Sequence, residues 1–331
     1  MKAVLMDRYG PPDVLRVTDV PDPTPGPKDV LVAVKASSIN PIDYKIRAGG
    51  QRGLIRYTLP WIPGLDLSGV VVATGDAVTR FSVGDEVYGS PAHNRPGCHA
   101  ELIAVSEREL ARKPRNITHV EAATLPLVGQ TAWMCLMPWL QQKTAQKVFI
   151  QAGAGGVGTF AIQLARHHGA HVATTCSPSN NQLVSSLGAA EVIDYKTQRF
   201  EDVLRDQDIV LDALGGDARR KAMGVLRRGG RLASIVTGLP GYTERFGPNL
   251  AVLAVLASLA RMKLRAALAG VQAAAVIRKP DGALLEKITP LVEQGAIRPV
   301  VDAVYPLADI AEAHRHVERG HTRGKVAIAV A

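Results

Sequence analysis

The chain of 331 residues predicts an α/β protein in two parts, a β-rich domain of short strands and a doubly wound parallel sheet with helices on both faces. Three observations carry this. Short strands separated by turn clusters fill the first third of the chain. Strand and helix periods then alternate. Between the two regimes, Lys147 to Gly169 (KVFIQAGAGGVGTFAIQLARHHG) reads as strand, glycine turn and helix.

In chain order, Met1 to Tyr9 alternates like a strand. Val30 to Lys35 (VLVAVK), Gly69 to Thr74 (GVVVAT), Glu86 to Tyr88 and Ala100 to Val105 follow, separated by turns such as Pro21 to Pro27 (PDPTPGP) and Ser82 to Asp85 (SVGD). Many short strands with polar turns predict a small barrel. Ala122 to Leu140 reads as a helix that Pro138 kinks or ends. His171 to Cys176, Val192 to Tyr195, Ile209 to Ala213 and Arg231 to Val236 are strands alternating with helical segments such as Asn181 to Leu187 and Ala218 to Arg228. Asn249 to Ala260 is apolar until Arg261, Lys263 and Arg265 interrupt it. That run is too short for a bilayer, which takes about 20 residues. A helix buried against the substrate site or a subunit interface is the expectation, and a surface-binding amphipathic helix the alternative. Leu284 to Glu293 is a further helix. Val300 to Tyr305 and Lys325 to Val330 return to strand, and this tail is expected to rejoin the first domain.

Gly153, Gly155 and Gly158 spell G-x-G-x-x-G between strand and helix, the context that a dinucleotide pyrophosphate requires. One glycine permits the turn, one lets the backbone approach the phosphates, and one packs helix on strand. The phosphates would sit on free N–H groups at the helix start. NAD-binding proteins carry a carboxylate about 20 residues further on for the ribose hydroxyls. Thr175 to Asn181 (TCSPSNN) contains no acid there, so the cofactor expected is NADPH. Ser177 and Ser179 also suit N-caps of the next helix.

Hydrophobic residues are 47% and charged residues 21% of the chain, as in soluble globular proteins, and the length suits about two domains. The net charge of +9 is scattered and aromatics are only 5%, which favours a phosphorylated cofactor over nucleic acid as partner. Three cysteines cannot pair fully and fit a reducing compartment. No leader is visible before Asp7 and Arg8, so the cytoplasm is the expected location.

Several motifs in one order are more specific than the fingerprint alone. They are Asn40-Pro41-Ile42-Asp43-Tyr44-Lys45-Ile46-Arg47-Ala48-Gly49, Pro63 to Gly69 (PGLDLSG), Leu125 to Ala132 (LPLVGQTA), Ala152 to Gly158, Val192 to Tyr195 and Gly324-Lys325-Val326. With them the chain resembles, over essentially its whole length, a zinc-independent medium-chain dehydrogenase/reductase of the quinone-oxidoreductase-like branch. Thr174 to Ser177 and Lys279 to Gly282 are similar to the subgroup of the reticulon-interacting mitochondrial oxidoreductase.

The resemblance implies a GroES-like β-barrel catalytic domain from residues 1–121 and 290–331, a Rossmann doubly wound parallel sheet from 122–289, an active site in the cleft, and a homodimer. It also implies NADPH-dependent reduction of quinones or α,β-unsaturated carbonyls. By motif position, Ala154, Gly155, Gly156 and Val157 would hold the pyrophosphate, Ser177 and Tyr195 would meet the 2′-phosphate, and Thr131 the nicotinamide-side phosphate. Ile235 would line the nicotinamide pocket, with Asn40 near nicotinamide and substrate.

Zinc-dependent relatives carry a cysteine early in the barrel and then Gly-His-Glu. Here the first segment reads Ser38 to Asp43 and the second Gly64-Leu65-Asp66, so no metal is expected. His93, Cys98 and His99 match no common site and read as loop residues, and His314, His316 and His321 as a solvated helical face. Without zinc a simple ketone is hard to polarise, whereas a quinone or enone is already electrophilic. Donors at the acceptor's oxygen then lower the barrier, and Asn40, Tyr44 and Lys45 are the candidates. Asn40-Pro41 also suits a plain turn, and Lys45 and Arg47 a solvated face. The competing functions are an enoyl-thioester reductase, an NADPH-binding interaction protein without turnover, and a peripheral membrane protein using residues 249–278. A membrane partner is not the expectation.

Overall fold

The computed structural model describes residues 1–140 and 146–330. It forms two compact units, Met1–Gln130 with Lys279–Ala331, and Thr131–Arg278.

In the first unit, β1 (Lys2–Met6) and β2 (Leu15–Asp19) form an antiparallel ribbon. The organising strand is β3 (Asp29–Ile39), on which Val30, Val32, Val34 and Ala36 alternate into the core. After it come α1 (Pro41–Arg47), β4 (Leu67–Thr74), β5 (Glu86–Gly89), β6 (Leu102–Ser106) and β7 (Leu110–Arg112). One edge of β3 takes β4; the other takes β6 along Asp29–Ala33. Val32, Leu67, Val71, Phe81, Val87 and Ile103 fill the space they enclose.

The helix expected over 122–140 is two. The first, α2 (His119–Ala122), is capped by Thr118, whose Oγ1 accepts from Glu121 N at 3.2 Å while the Glu121 carboxylate accepts from Thr118 N at 2.9 Å. The second, α3 (Pro126–Leu136), starts afresh because the residue before a proline is forced out of helical geometry. It stops two residues before Pro138.

The second unit has the alternation anticipated: β8 (Lys147–Ile150), α4 (Gly156–His167), β9 (His171–Cys176), α5 (Asn181–Leu187), β10 (Glu191–Asp194), α6 (Phe200–Val203), β11 (Gln207–Asp212), α7 (Gly216–Gly224), β12 (Leu226–Ser234), α8 (Leu239–Leu268) and β13 (Gln272–Ala275). All ladders are parallel, in the order β10-β9-β8-β11-β12-β13. The order reverses between β8 and β11, the switch point at which dinucleotides bind outside the carboxyl ends of the strands. Phe149, Ala173, Val210 and Leu232 face helices across its core. Residues 249–278 resolve into the rest of α8, which bends at Gly247, and β13, a strand that the alanine-rich QAAA concealed.

The tail comprises α9 (Gly282–Glu293), β14 (Val301–Pro306), α10 (Ile310–Glu318) and β15 (Lys325–Ala329). It rejoins the first unit: β15 pairs antiparallel with β3, Val326 opposite Ile39, and parallel with β14. The units divide at 130/131 and 278/279, against the expected 121/122 and 289/290. The whole of α9 lies with the first unit because Tyr88 Oη donates to Leu285 O at 3.0 Å and a Cβ on Gly282 would stand 2.2 Å from Leu110 O.

Candidate functional site

In the second unit the glycine turn is built to closeness that only glycine allows. A Cβ on Gly153 would meet Thr174 Oγ1 at 2.1 Å, and one on Gly158 would meet Ala152 O at 2.4 Å. Thr174 Oγ1 donates to Ile150 O and Thr175 Oγ1 accepts from Ala152 N, pinning the turn to β9. Ala152 holds φ +54°, a left-handed conformation that non-glycine residues seldom adopt. Gly155 differs from its neighbours: a Cβ there would find only Ala152 O at 3.4 Å. It caps α4 with extended backbone, and Gly155, Gly156 and Val157 are partly open to solvent above the helix's unpaired first-turn N–H groups. Ala154 is buried beneath them. This cradle without side chains fits a pyrophosphate.

The register of β9 and β10 pairs Cys176 with Asp194, so Ser177 and Tyr195 are the next residues of adjoining strands at their carboxyl ends. Tyr195 is exposed. Ser177 Oγ lies 3.1 Å from Ser179 Oγ and accepts from Asn180 Nδ2 at 3.1 Å. The carboxylate of Asp194 is taken by its own turn, accepting from Lys196 N and Thr197 Oγ1. Lys196, exposed and next after Tyr195, carries no mark in the sequence, because only the pairing of β10 with β9 brings it near Ser177. Thr131 is buried on α3. Ile235 follows β12, half-buried, its N–H donating to Asp212 O. Beside it the buried Asp212 accepts from Ser234 Oγ at 2.6 Å and Gly215 N at 2.7 Å, which fixes the loops after β11 and β12.

In the first unit Asn40, Tyr44 and Lys45 come together on α1 but face differently. Asn40 is fully buried at the helix start. Its Nδ2 donates to Asp66 Oδ2 at 2.8 Å, its Oδ1 accepts from Lys325 Nζ at 2.5 Å, and its backbone N–H donates to Asp43 Oδ2 at 2.7 Å. Lys325 Nζ also donates to Ile39 O at 2.9 Å and lies 3.3 Å from Asp66 Oδ2. Asp66 Oδ1 accepts from Leu127 N at 2.8 Å and its Oδ2 from Ser38 Oγ at 3.0 Å. Burial lowers the pKa of Lys325, opposed by Asp66, and pushes the Asp43 carboxyl up to about 7. Tyr44 and Lys45 are half-buried, with Lys45 Nζ 5.9 Å from the Tyr44 ring centre. Burial raises the Tyr44 pKa and lowers that of Lys45. Arg47, for which a solvated face was one reading, is buried and ion-paired to Glu318.

The histidines also depart from expectation. Cys98 and His99 lie in a loop, as expected, but the loop is fully buried there, and His99 Nδ1 lies 3.0 Å from Ser37 Oγ. His314 is fully buried on α10, beside Arg47, while His316 bonds Tyr305 and Asp302, and of the three only His321 is exposed. Desolvation holds His99 down to about 4 and His314 well below its usual value. Among the described residues no group of three or more His, Cys, Asp or Glu side chains could hold a metal ion.

A classic-order parallel sheet with a glycine cradle at its switch point, joined to a β-rich unit made from both chain ends, defines an oxidoreductase that uses a nicotinamide dinucleotide. The comparisons agree. Residues 26–115 match the alcohol dehydrogenase GroES-like domain, and 187–328 the family described as zinc-binding dehydrogenase. The chain is 33% identical to the mitochondrial NAD(P)H oxidoreductase RTN4IP1 of Danio rerio, covering 100% of this chain and 91% of that protein. It is 35% identical to the chloroplastic NADPH-dependent alkenal/one oxidoreductase of Arabidopsis thaliana, covering 99% and 79%. The quinone oxidoreductase structure from Coxiella burnetii superimposes with a TM-score of 0.88 at 32% identity, covering 100% and 99%. The chain belongs to the medium-chain dehydrogenase/reductase family, in its quinone-oxidoreductase-like branch, with a GroES-like domain and a Rossmann sheet.

Zinc does not fit where zinc-dependent relatives carry ligands. Those two segments meet here at Asn40 and Asp66, and a buried ammonium, Lys325, stands against both. An amide and one carboxylate already satisfied by a cation are not the donor set zinc takes.

Proposed function

We propose that the protein is an NADPH-dependent reductase of quinones or α,β-unsaturated carbonyls. The observation that carries the cofactor choice is the acid-free end of β9. There Ser177, Asn180, Tyr195 and Lys196 offer donors and a positive charge, and the one nearby carboxylate, Asp194, is consumed by its own turn. A 2′-phosphate would be welcomed there, whereas the ribose hydroxyls of NADH would find no dedicated acceptor. The Gly155–Val157 cradle with Ala154 beneath it takes the pyrophosphate, Thr131 serves the nicotinamide-side phosphate, and Ile235 lines the nicotinamide pocket.

Bound NADPH supplies the hydride. The chain's own residues bind, orient and offset charge. Hydride delivered to an electrophilic carbon drives negative charge onto the acceptor's oxygen, and Tyr44 and Lys45 are the donors that meet it. A raised tyrosine pKa keeps the Tyr44 hydroxyl protonated, and a lowered lysine pKa makes the Lys45 proton easier to give. Asn40, engaged by Lys325 and Asp66, positions the start of α1. The acceptor class rests on the names of the relatives, an alkenal/one oxidoreductase and a quinone oxidoreductase. The compartment does not follow from the fold, since relatives named mitochondrial and chloroplastic share it.

The test is a screen of quinones, enals, enones and enoyl thioesters with NADPH and NADH side by side. Turnover of quinones or enones with a lower KM for NADPH is expected. Activity confined to enoyl thioesters, NADPH binding without turnover, or a preference for NADH would overturn the proposal.

A further inference from the structure

The second half of α8, from Pro248 to Leu268, is about 30 Å of helix. One side is packed: Ala251, Val255, Met262 and Ala266 are buried. The opposite side is not packed, and beyond the exposed Asn249 at its start it is apolar. Leu250 is 58% exposed, Leu253 62%, Leu256 58%, Leu264 61% and Leu268 80%. At about 100° per residue these leucines fall on one stripe facing away from the buried side. Arg261 and Arg265 border one edge of the stripe and Lys263 the other, all exposed. Between Glu244 and Asp281 the sequence contains no acidic residue.

An isolated exposed leucine needs no explanation, but a continuous apolar stripe along six turns of helix does. We propose that this face of α8 lies on an anionic lipid surface, its leucines entering the boundary between headgroups and acyl chains and its three cations meeting lipid phosphates. No helix among the described residues is long and apolar enough to cross a membrane, so the segment would lie in the interface. Charge separates this occupant from a second copy of the chain. Two such faces packed together would gather six cations around one seam, and the helix from Arg245 onward offers no carboxylate to pair with them. Anionic headgroups supply that missing charge. The sequence pattern alone favours a buried or subunit-interface helix for this segment. What it could not see is that alanines and Met262 fill the buried side and leave the leucines outside.

The test is flotation of the full-length protein with vesicles of phosphatidylcholine alone or mixed with phosphatidylglycerol, at low and high salt. The wild type is expected to float with the mixed vesicles, about tenfold less at high salt, because screening weakens the cation–phosphate attraction. Leu253→Asp with Leu264→Asp should abolish flotation, and Arg261→Glu with Arg265→Glu should reduce it at least as strongly as salt does. A thermal shift with NADPH equal to that of the wild type shows that each variant is folded. Three results would overturn the proposal: no flotation at low salt, flotation unchanged by charge reversal, or a wild-type homodimer that ignores vesicles and that Leu253→Asp with Leu264→Asp converts to monomer.

Discussion

A buried ammonium is tolerable only where oxygens surround it, and Lys325 has Ile39 O, Asn40 Oδ1 and Asp66 Oδ2. Lys325→Met would leave the Asp66 carboxylate buried without its counter-charge. A loss of about 3–5 kcal/mol in urea unfolding is expected, partly recovered in Lys325→Met with Asp66→Asn. A single variant within about 0.5 kcal/mol of wild type would show that the network carries no weight.

His99 makes a pH prediction with a definite sign. Its folded pKa of about 4 lies below the ordinary 6.5, so the unfolded chain binds more protons between those values, and stability falls as pH drops below 6.5. The span, 6.5 − 4, corresponds to about 3 kcal/mol at pH 4. His314 acts in the same sense, with His99 and Arg47 beside it. Asp43, pushed up to about 7, acts oppositely: its penalty, present at neutral pH, disappears as pH falls toward the usual carboxylate range. The stability difference between wild type and His99→Gln, measured from pH 7.5 to 4.5, isolates the histidine. It should shift in favour of the variant as pH falls, and a flat difference would contradict the burial argument.

Ser177→Glu would place a carboxylate where a 2′-phosphate is proposed. KM for NADPH should rise at least about tenfold with KM for NADH little changed, because like charges meet in one case only. At this scale the sequence was partly legible. The glycines announced their roles through spacing, which local chain geometry fixes. Lys325 and Asp66 did not, although Asp66 interrupts an apolar stretch and Lys325 opens one, because their meeting joins residues 259 apart. His99 and His314 looked like surface residues for the same reason.

At the scale of elements, periodicity identified the strands and helices of the Rossmann sheet whose patterns are regular. It failed where composition is bland: β13 is Gln-Ala-Ala-Ala, and only its parallel pairing to β12 makes it a strand. Nor could it assign α9, an amphipathic helix that would suit either unit. Gly282 decides the matter by letting the helix backbone approach Leu110. Gly282→Ala should therefore destabilise the first unit by about 1–3 kcal/mol, through displaced β7 backbone. Unfolding monitored by tryptophan fluorescence checks this, and an unchanged midpoint would mean that α9 docks more loosely than the close approach requires. The break between α2 and α3 belongs to the same scale, with Pro126 restarting a helix that pattern alone runs together.

At the scale of the molecule, a dinucleotide unit is inserted into a β-rich unit closed by the chain's own tail, β15 along β3. The division of labour follows: the inserted unit offers a cradle of bare backbone at its switch point, and the outer unit offers α1, anchored by Asn40, Asp66 and Lys325. Cofactor binding to the native state should stabilise it by about 2.7 kcal/mol at a hundredfold excess over Kd. All of this turns on proposed hydride transfer from NADPH to an acceptor that is electrophilic without a metal's help. The most direct measurement is the fate of the label when NADPH carrying deuterium at both C4 positions of the nicotinamide reduces an enone, before and after exhaustive chelation. Deuterium is expected at the β-carbon of the product, at a rate that chelation leaves unchanged. Unlabelled product, or turnover lost with stoichiometric zinc and restored by its return, would contradict it.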